Sequence, residues 1–168
     1  MKQLSGQDAM WIHLETNKTP MHIGVLYVFD SPGKKFDFKD FKQFFEDRLH
    51  LSRIFRQRLV EAPMGIGSPF WADDPDFDIN HHMFHVALPK PGGRKLLKEL
   101  AARHYSPPLD RTRPLWKATF ITDINIPELS EDAFAMLVQV HHAAIDGKSG
   151  VEIMASILSM TEEPFVPA

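Results

Sequence analysis

Hydrophobic positions along the chain fall into short β-like runs separated by stretches of helical period. Residues 24–30 read Gly-Val-Leu-Tyr-Val-Phe-Asp, a β-branched and aromatic run closed by Ser31-Pro32-Gly33, which predicts a strand and then a turn. Asp37 can cap a helix in which Phe38, Phe41, Phe45 and Leu49 form one apolar stripe. Weak alternation over 55–61 predicts a strand, 63–69 a Pro/Gly-rich loop, and 70–71 a short strand. A strand is expected over 79–88. The next helix runs over 94–105, with Leu96, Leu97 and Leu100 inward and Ser106-Pro107-Pro108 as its stop. A strand over 116–123 follows, then a connection over 126–130. Nearer the start, 8–15 fits a short helix with Trp11 and Leu14 on one side.

The strongest apolar run is 133–138, six uninterrupted apolar side chains within a strand expected over 133–142. A run of this kind ending at a turn fits a strand covered on both faces. Beyond it, Val151, Met154, Ile157 and Leu158 recur at helical spacing, which predicts a helix over 148–160. The segment His141-His142-Ala143-Ala144-Ile145-Asp146-Gly147 therefore sits at a strand-to-helix junction, where side chains leave a rigid element for a crevice. Strands mixed with helices suggest an α/β two-layer sandwich with a mixed sheet. Residues 1–160 read as one lobe, and the tail 161–168 as a linker.

Composition narrows the classes of function. The chain has 168 residues, 43% hydrophobic and 24% charged, which suits an ordinary soluble domain with a core of its own. Net charge is −3 and no dense basic run occurs, which argues against nucleic acid as a partner. With no cysteine, a thiol nucleophile, disulfides and cysteine-ligated zinc are excluded, and a reducing, cytoplasmic setting is compatible. The first residues carry no apolar signal-peptide core, and no segment reaches the roughly 18 apolar residues of a membrane span. Any contact with an inner membrane or lipid inclusion would then be peripheral.

Vicinal histidines on extended backbone point to opposite sides. One is expected to face a site while the other packs or orients the chain. A histidine near its ordinary pKa can take a proton at neutral pH and return it within one cycle. The alternative is a pair of buried, hydrogen-bonded histidines, with Asp146 only capping the next helix. Gly147-Lys148-Ser149 lacks the earlier glycine of a phosphate loop, because that position is His142. Gly147-Lys148-Ser149-Gly150-Val151 ends in valine, so no serine elbow exists. His81, His82 and His85 would chelate zinc only on a helix, whereas their neighbours suit a strand, so they read as surface or packing groups. No metal site is expected. Phe36, Phe38, Phe41, Phe44 and Phe45 read as core, and Arg48, Arg53, Arg56 and Arg58 as solvated surface with a phosphate or lipid headgroup as the alternative.

His141 to Gly147 also resembles the His-His-x-x-x-Asp-Gly motif of the acyl-CoA-dependent acyltransferase superfamily, which includes chloramphenicol acetyltransferase-like enzymes and peptide-synthetase condensation domains. Further segments resemble bacterial wax ester synthase/diacylglycerol acyltransferases. They are Leu4-Ser5-Gly6-Gln7-Asp8-Ala9 with Leu14-Glu15 and Pro20-Met21-His22, then Phe77-Asp78-Ile79 through Leu88-Pro89-Lys90-Pro91-Gly92, and Arg113-Pro114-Leu115-Trp116. The resemblance covers most of residues 4–158.

It implies a chloramphenicol acetyltransferase-like N-terminal lobe. His142 would be the general base that takes the hydroxyl proton of a fatty alcohol or diacylglycerol as it attacks a long-chain acyl-CoA, with no covalent acyl-enzyme. His141, Asp146 and Gly147 would support the loop, Asp146 through an ion pair. Pro114, Leu115 and Trp116 would be a structural or substrate-channel motif. Acyl-CoA would be a substrate, with no cofactor. The family has two lobes, so a C-terminal lobe, as a separate chain or a missing segment, would complete the site. Rival readings are a condensation-type acyltransferase using carrier-bound acyl groups, a non-catalytic lipid- or protein-binding lobe, and, more remotely, a metal-dependent hydrolase.

Overall fold

The computed structural model describes residues 1–62, 64 and 66–145. The expected helix over 148–160 and linker over 161–168 lie outside them, as do Asp146 and Gly147.

Ten elements follow one another along the described chain. They are β1 (Lys2–Gln3), α1 (Gly6–Leu14), β2 (His22–Phe29), α2 (Phe38–Glu46), β3 (Gln57–Val60), β4 (Phe70–Asp73), β5 (Met83–Ala87), α3 (Arg94–Tyr105), β6 (Trp116–Thr122) and β7 (Phe134–His141). Short 3-10 turns at Leu49–Leu51, Arg53–Phe55, Ile79–His81 and His142–Ala144 punctuate them. A four-stranded mixed sheet, in the order β2-β7-β6-β5, forms the body. Only the β5–β6 pair, joined through α3, is parallel. That connection has the length and the helix a parallel crossover requires. A small antiparallel sheet, β1-β4-β3, sits beside it.

Local chemistry starts the helices. Ser5 Oγ accepts the Asp8 N–H at 3.1 Å and donates to the Asp8 carboxylate at 2.7 Å. Asp37 and Asp40 exchange side-chain to backbone bonds of 2.9 and 3.1 Å in a capping box. The side-chain period of two then sorts the sheet. Trp116, Ala118 and Phe120 of β6, with Met136, Val138 and Val140 of β7, face α2 and its buried Phe41 and Phe45. Ile121, Ala135 and Leu137 face α3 through Leu97, Leu100 and Ala101. A helix thus stands on each face of the mixed sheet, and β7 is covered on both sides.

Three local expectations are corrected. Leu14 is 51% exposed, and α1 instead buries Ala9 and Ile12 against Leu109, Leu115 and Ala143. The strand expected from 79 begins only at Met83, because the Asp78 carboxylate accepts the Asn80 N–H at 2.9 Å and winds Ile79–His81 into a turn. Phe55 belongs to a 3-10 turn, so β3 starts two residues later than expected.

Candidate active site

β7 carries the two histidines to the end of the sheet. It pairs with β2 so that His141 lies opposite His22, and the His141 N–H donates to the Leu115 carbonyl at 3.0 Å. His141 is still extended, at φ −68° and ψ 140°, after which the chain winds into the turn His142–Ala144. The His141 ring caps that turn, Nδ1 accepting the Ala143 N–H at 3.0 Å. The two rings face different surroundings, as extended backbone requires.

His141 is fully buried. Because Nδ1 accepts, the neutral ring carries its proton on Nε2, 3.3 Å from Glu15 Oε1, an approach short of hydrogen-bond geometry. Burial lowers its pKa to about 4, against the opposing pull of the Glu15 charge and with a further push from Arg111. It is neutral at pH 7, with Nδ1 committed to the Ala143 N–H.

His142 is held differently. Its N–H donates to the Met21 carbonyl at 2.8 Å, and its ring stacks on Trp11 with centroids 4.2 Å apart and planes 23° from parallel. Nδ1 is buried and has no hydrogen-bond partner among the described residues. Among the described residues, no side chain engages this ring nitrogen as the Ala143 N–H engages Nδ1 of His141.

Glu15, which follows α1, was not singled out as a site residue by the sequence. Its side chain is only 4% exposed. Oε1 accepts the Met21 N–H at 3.0 Å, and Oε2 takes Nε and Nη2 of Arg111, both at 2.9 Å. Burial raises the Glu15 pKa, but the Met21 N–H and the Arg111 guanidinium outweigh it and leave the carboxyl below its ordinary value. His22 was also missed. Its Nε2–H donates to the Tyr105 carbonyl at 2.7 Å, while the Tyr105 hydroxyl donates to the His22 carbonyl at 3.0 Å. Burial lowers the His22 pKa as well. Gly24 is required here, since a Cβ would lie 2.7 Å from the Tyr105 ring and 2.8 Å from the Val138 carbonyl. The sequence hint to these residues was the Leu14-Glu15 and Pro20-Met21-His22 segment, which carried no role by itself.

Pro114, Leu115 and Trp116 are buried beside this corner. Trp116 donates from Nε1 to the Phe55 carbonyl at 3.0 Å and lies parallel to Phe45 and His82. His82 is itself buried, with Nδ1–H donating to the Trp116 carbonyl at 2.9 Å. His85 contacts Thr122 Oγ1 at 3.0 Å, and His81 is exposed, so the three do not converge. The arginines are partly engaged: Arg48 lies over the Phe44 ring, Arg56 over Phe77, and Arg58 is 3.6 Å from Asp74.

Residues 4–168 match the family described as wax ester synthase/diacylglycerol acyltransferase catalytic domain. The chain belongs to this family. A Mycobacterium tuberculosis relative that carries the name probable diacylglycerol O-acyltransferase is 34% identical over 96% of this chain and 58% of its own length. The O-acyltransferase WSD of Acinetobacter baylyi is 33% identical over 99% of this chain and 35% of its own. Among solved structures, the wax ester synthase/diacylglycerol acyltransferase from Marinobacter aquaeolei superposes with a TM-score of 0.74 at 30% identity, over 92% of this chain and 37% of that one. The starter condensation domain of rhizomide synthetase superposes with a TM-score of 0.69 at 15% identity, a likeness of fold alone. The α/β lobe expected from the sequence is therefore the fold of this family. The chain spans 33% of the length of some relatives and up to 58% of another.

Proposed function

We propose that this chain supplies the general-base wall of an O-acyltransferase that moves a long-chain acyl group from acyl-CoA to a fatty alcohol or diacylglycerol. The observation that carries the reading is the division between the two histidines. His141 is sealed and neutral, with Nδ1 spent on the Ala143 N–H and Nε2 closed in against Glu15, while His142 sits one residue further on, fixed through its backbone and ring face. That leaves His142 as the ring suited to exchange protons.

In this mechanism the acceptor hydroxyl donates its proton to His142 as its oxygen attacks the thioester carbonyl. The tetrahedral centre collapses, the carbon–sulfur bond breaks, and the imidazolium returns the proton to the thiolate. The products are an ester and free CoA thiol. A thioester is already activated, so a positioned base worth about 10²–10⁴-fold, together with proximity, is a sufficient division of labour. Asp146 and Gly147 complete the motif as loop supports, and the remaining length of the relatives supplies the opposite wall, in a continuing chain or a separate one. No helix among the described residues is long and apolar enough to cross a membrane. We place the reaction in the cytoplasm with peripheral contact at the membrane or lipid inclusions, where such acceptors concentrate. The condensation-type alternative is supported by likeness of fold alone, from condensation domains 12–15% identical to this chain.

The test is His142→Ala in the native enzyme, with that remaining length present. Thiol release from palmitoyl-CoA with hexadecanol or dioleoylglycerol should fall about 10²–10⁴-fold while the thermal midpoint stays put. Turnover kept within a few-fold overturns the assignment.

A further inference from the structure

We infer that Glu15, bridged to Arg111, is the positioning residue that aims the His142 base. The inference rests on the assignment of His142 proposed above and adds to it a residue remote in sequence.

A carboxylate with a 4% exposed side chain is costly unless its oxygens are well matched with donors. The contacts of Glu15 lead to His142 by three routes, two from its carboxylate and one from its main chain. Oε1 accepts the Met21 N–H at 3.0 Å, and the carbonyl of the same residue accepts the His142 N–H at 2.8 Å. Oε1 also lies 3.3 Å from His141 Nε2, while Nδ1 of that ring holds the Ala143 N–H at 3.0 Å, inside the turn that begins at His142. Finally, the Glu15 N–H donates to the Trp11 carbonyl at 3.2 Å, and the Trp11 ring stacks on His142. Arg111 fixes the hub itself, binding Oε2 and donating from Nη2 to the Ile12 carbonyl at 2.6 Å.

A carboxylate is specifically required. Facing His141 Nε2–H, it favours the tautomer whose Nδ1 can accept from Ala143. The other tautomer would set a ring N–H against the backbone N–H and undo the turn. A Gln at position 15 would retain one acceptor and turn an NH2 towards either Arg111 or His141, opposing donor to donor. None of these contacts touches reacting atoms, so the role is one of aim.

The test is a double-mutant cycle of Glu15→Gln and His142→Ala in the native enzyme. Alone, E15Q should lower kcat about 10–100-fold with KM for palmitoyl-CoA changed less than about threefold, the effect of misplacing a base by a fraction of an ångström to 1 Å. On the H142A background E15Q should change turnover less than twofold, because what it aims is gone. Equal losses on both backgrounds, or E15Q within twofold of wild type, overturn the inference and leave the base assignment standing. An active H142A overturns the base assignment instead. Should E15Q not fold, long-range proton–nitrogen NMR of the 15N-histidine wild-type enzyme decides. A His141 ring protonated on Nε2 supports the arrangement, and one protonated on Nδ1 overturns it.

Discussion

On the α2 side of the mixed sheet, alternate residues of β6 and β7 meet Phe41 and Phe45 in a core that includes Trp116, Phe120, Met136, Val138 and Val140. On the α3 side, the same two strands present Ile121, Ala135 and Leu137, then turn polar: Thr119, Gln139 and His141 are all fully buried there. The first face is held by non-directional apolar burial and ring contacts, such as Phe41 on Phe120 at 5.0 Å. The second carries directional bonds near its end, where Gln139 Nε2 donates to the Tyr105 carbonyl at 3.2 Å and His141 Nδ1 accepts the Ala143 N–H at 3.0 Å. Packing can redistribute when one side chain changes. A buried hydrogen-bond network cannot, because removing one member strands the others. The site lies at the end of the second kind of face, which is where fixed directions are needed.

The sharpest way to break that contrast is Phe120→Ala. It deletes a fully buried ring from the aromatic face and should cost about 3–5 kcal/mol of stability by urea unfolding, with the turnover of the folded fraction unchanged. A specific loss of turnover would mean that the aromatic face also aims the site.

A smaller effect should appear as pH dependence. His141 has its pKa held at about 4 against an ordinary 6.5, chiefly by burial, so between those values the unfolded chain binds more protons than the folded one. Stability is then intact above about pH 6.5 and declines towards pH 4. His22 and His82, also lowered chiefly by burial, act in the same direction. Below its ordinary 4.5, protonation of Glu15, whose folded pKa is lowered, removes a further contribution. His141→Asn, whose amide oxygen can still accept the Ala143 N–H, should flatten the slope of the urea midpoint between pH 7 and 5. An unchanged slope would move the acid sensitivity away from this face.

The smallest effect should come from Asp37→Ala, which removes one side of the α2 capping box and should cost about 1 kcal/mol with no change in pH slope. A changed slope would link the two faces electrostatically.

Much of the fold was legible because apolar runs were bounded by breakers. The helix over 94–105 matches α3 residue for residue, and β2, β6 and β7 lie within about two residues of expectation. Leu14 was misread because a short helix offers several apolar residues, and only tertiary packing selects Ile12 over it. In the site, the His141-His142 pair was visible as a motif, and the structure separates their environments. Glu15, Arg111 and His22 were not visible as a unit. Glu15 and Arg111 are 96 residues apart, and nothing local to either announces the other. Chain folding, not spacing, brings a carboxylate at the end of α1 beneath the end of β7.

The stack of Trp11 on His142 makes the site its own optical probe. An indole face attracts a cationic ring more strongly than a neutral one. Emission from Trp11 is therefore sensitive to the charge and tilt of its neighbour during turnover. Trp116, sealed between Phe45 and His82, and the half-buried Trp71 contribute the background within the same spectrum.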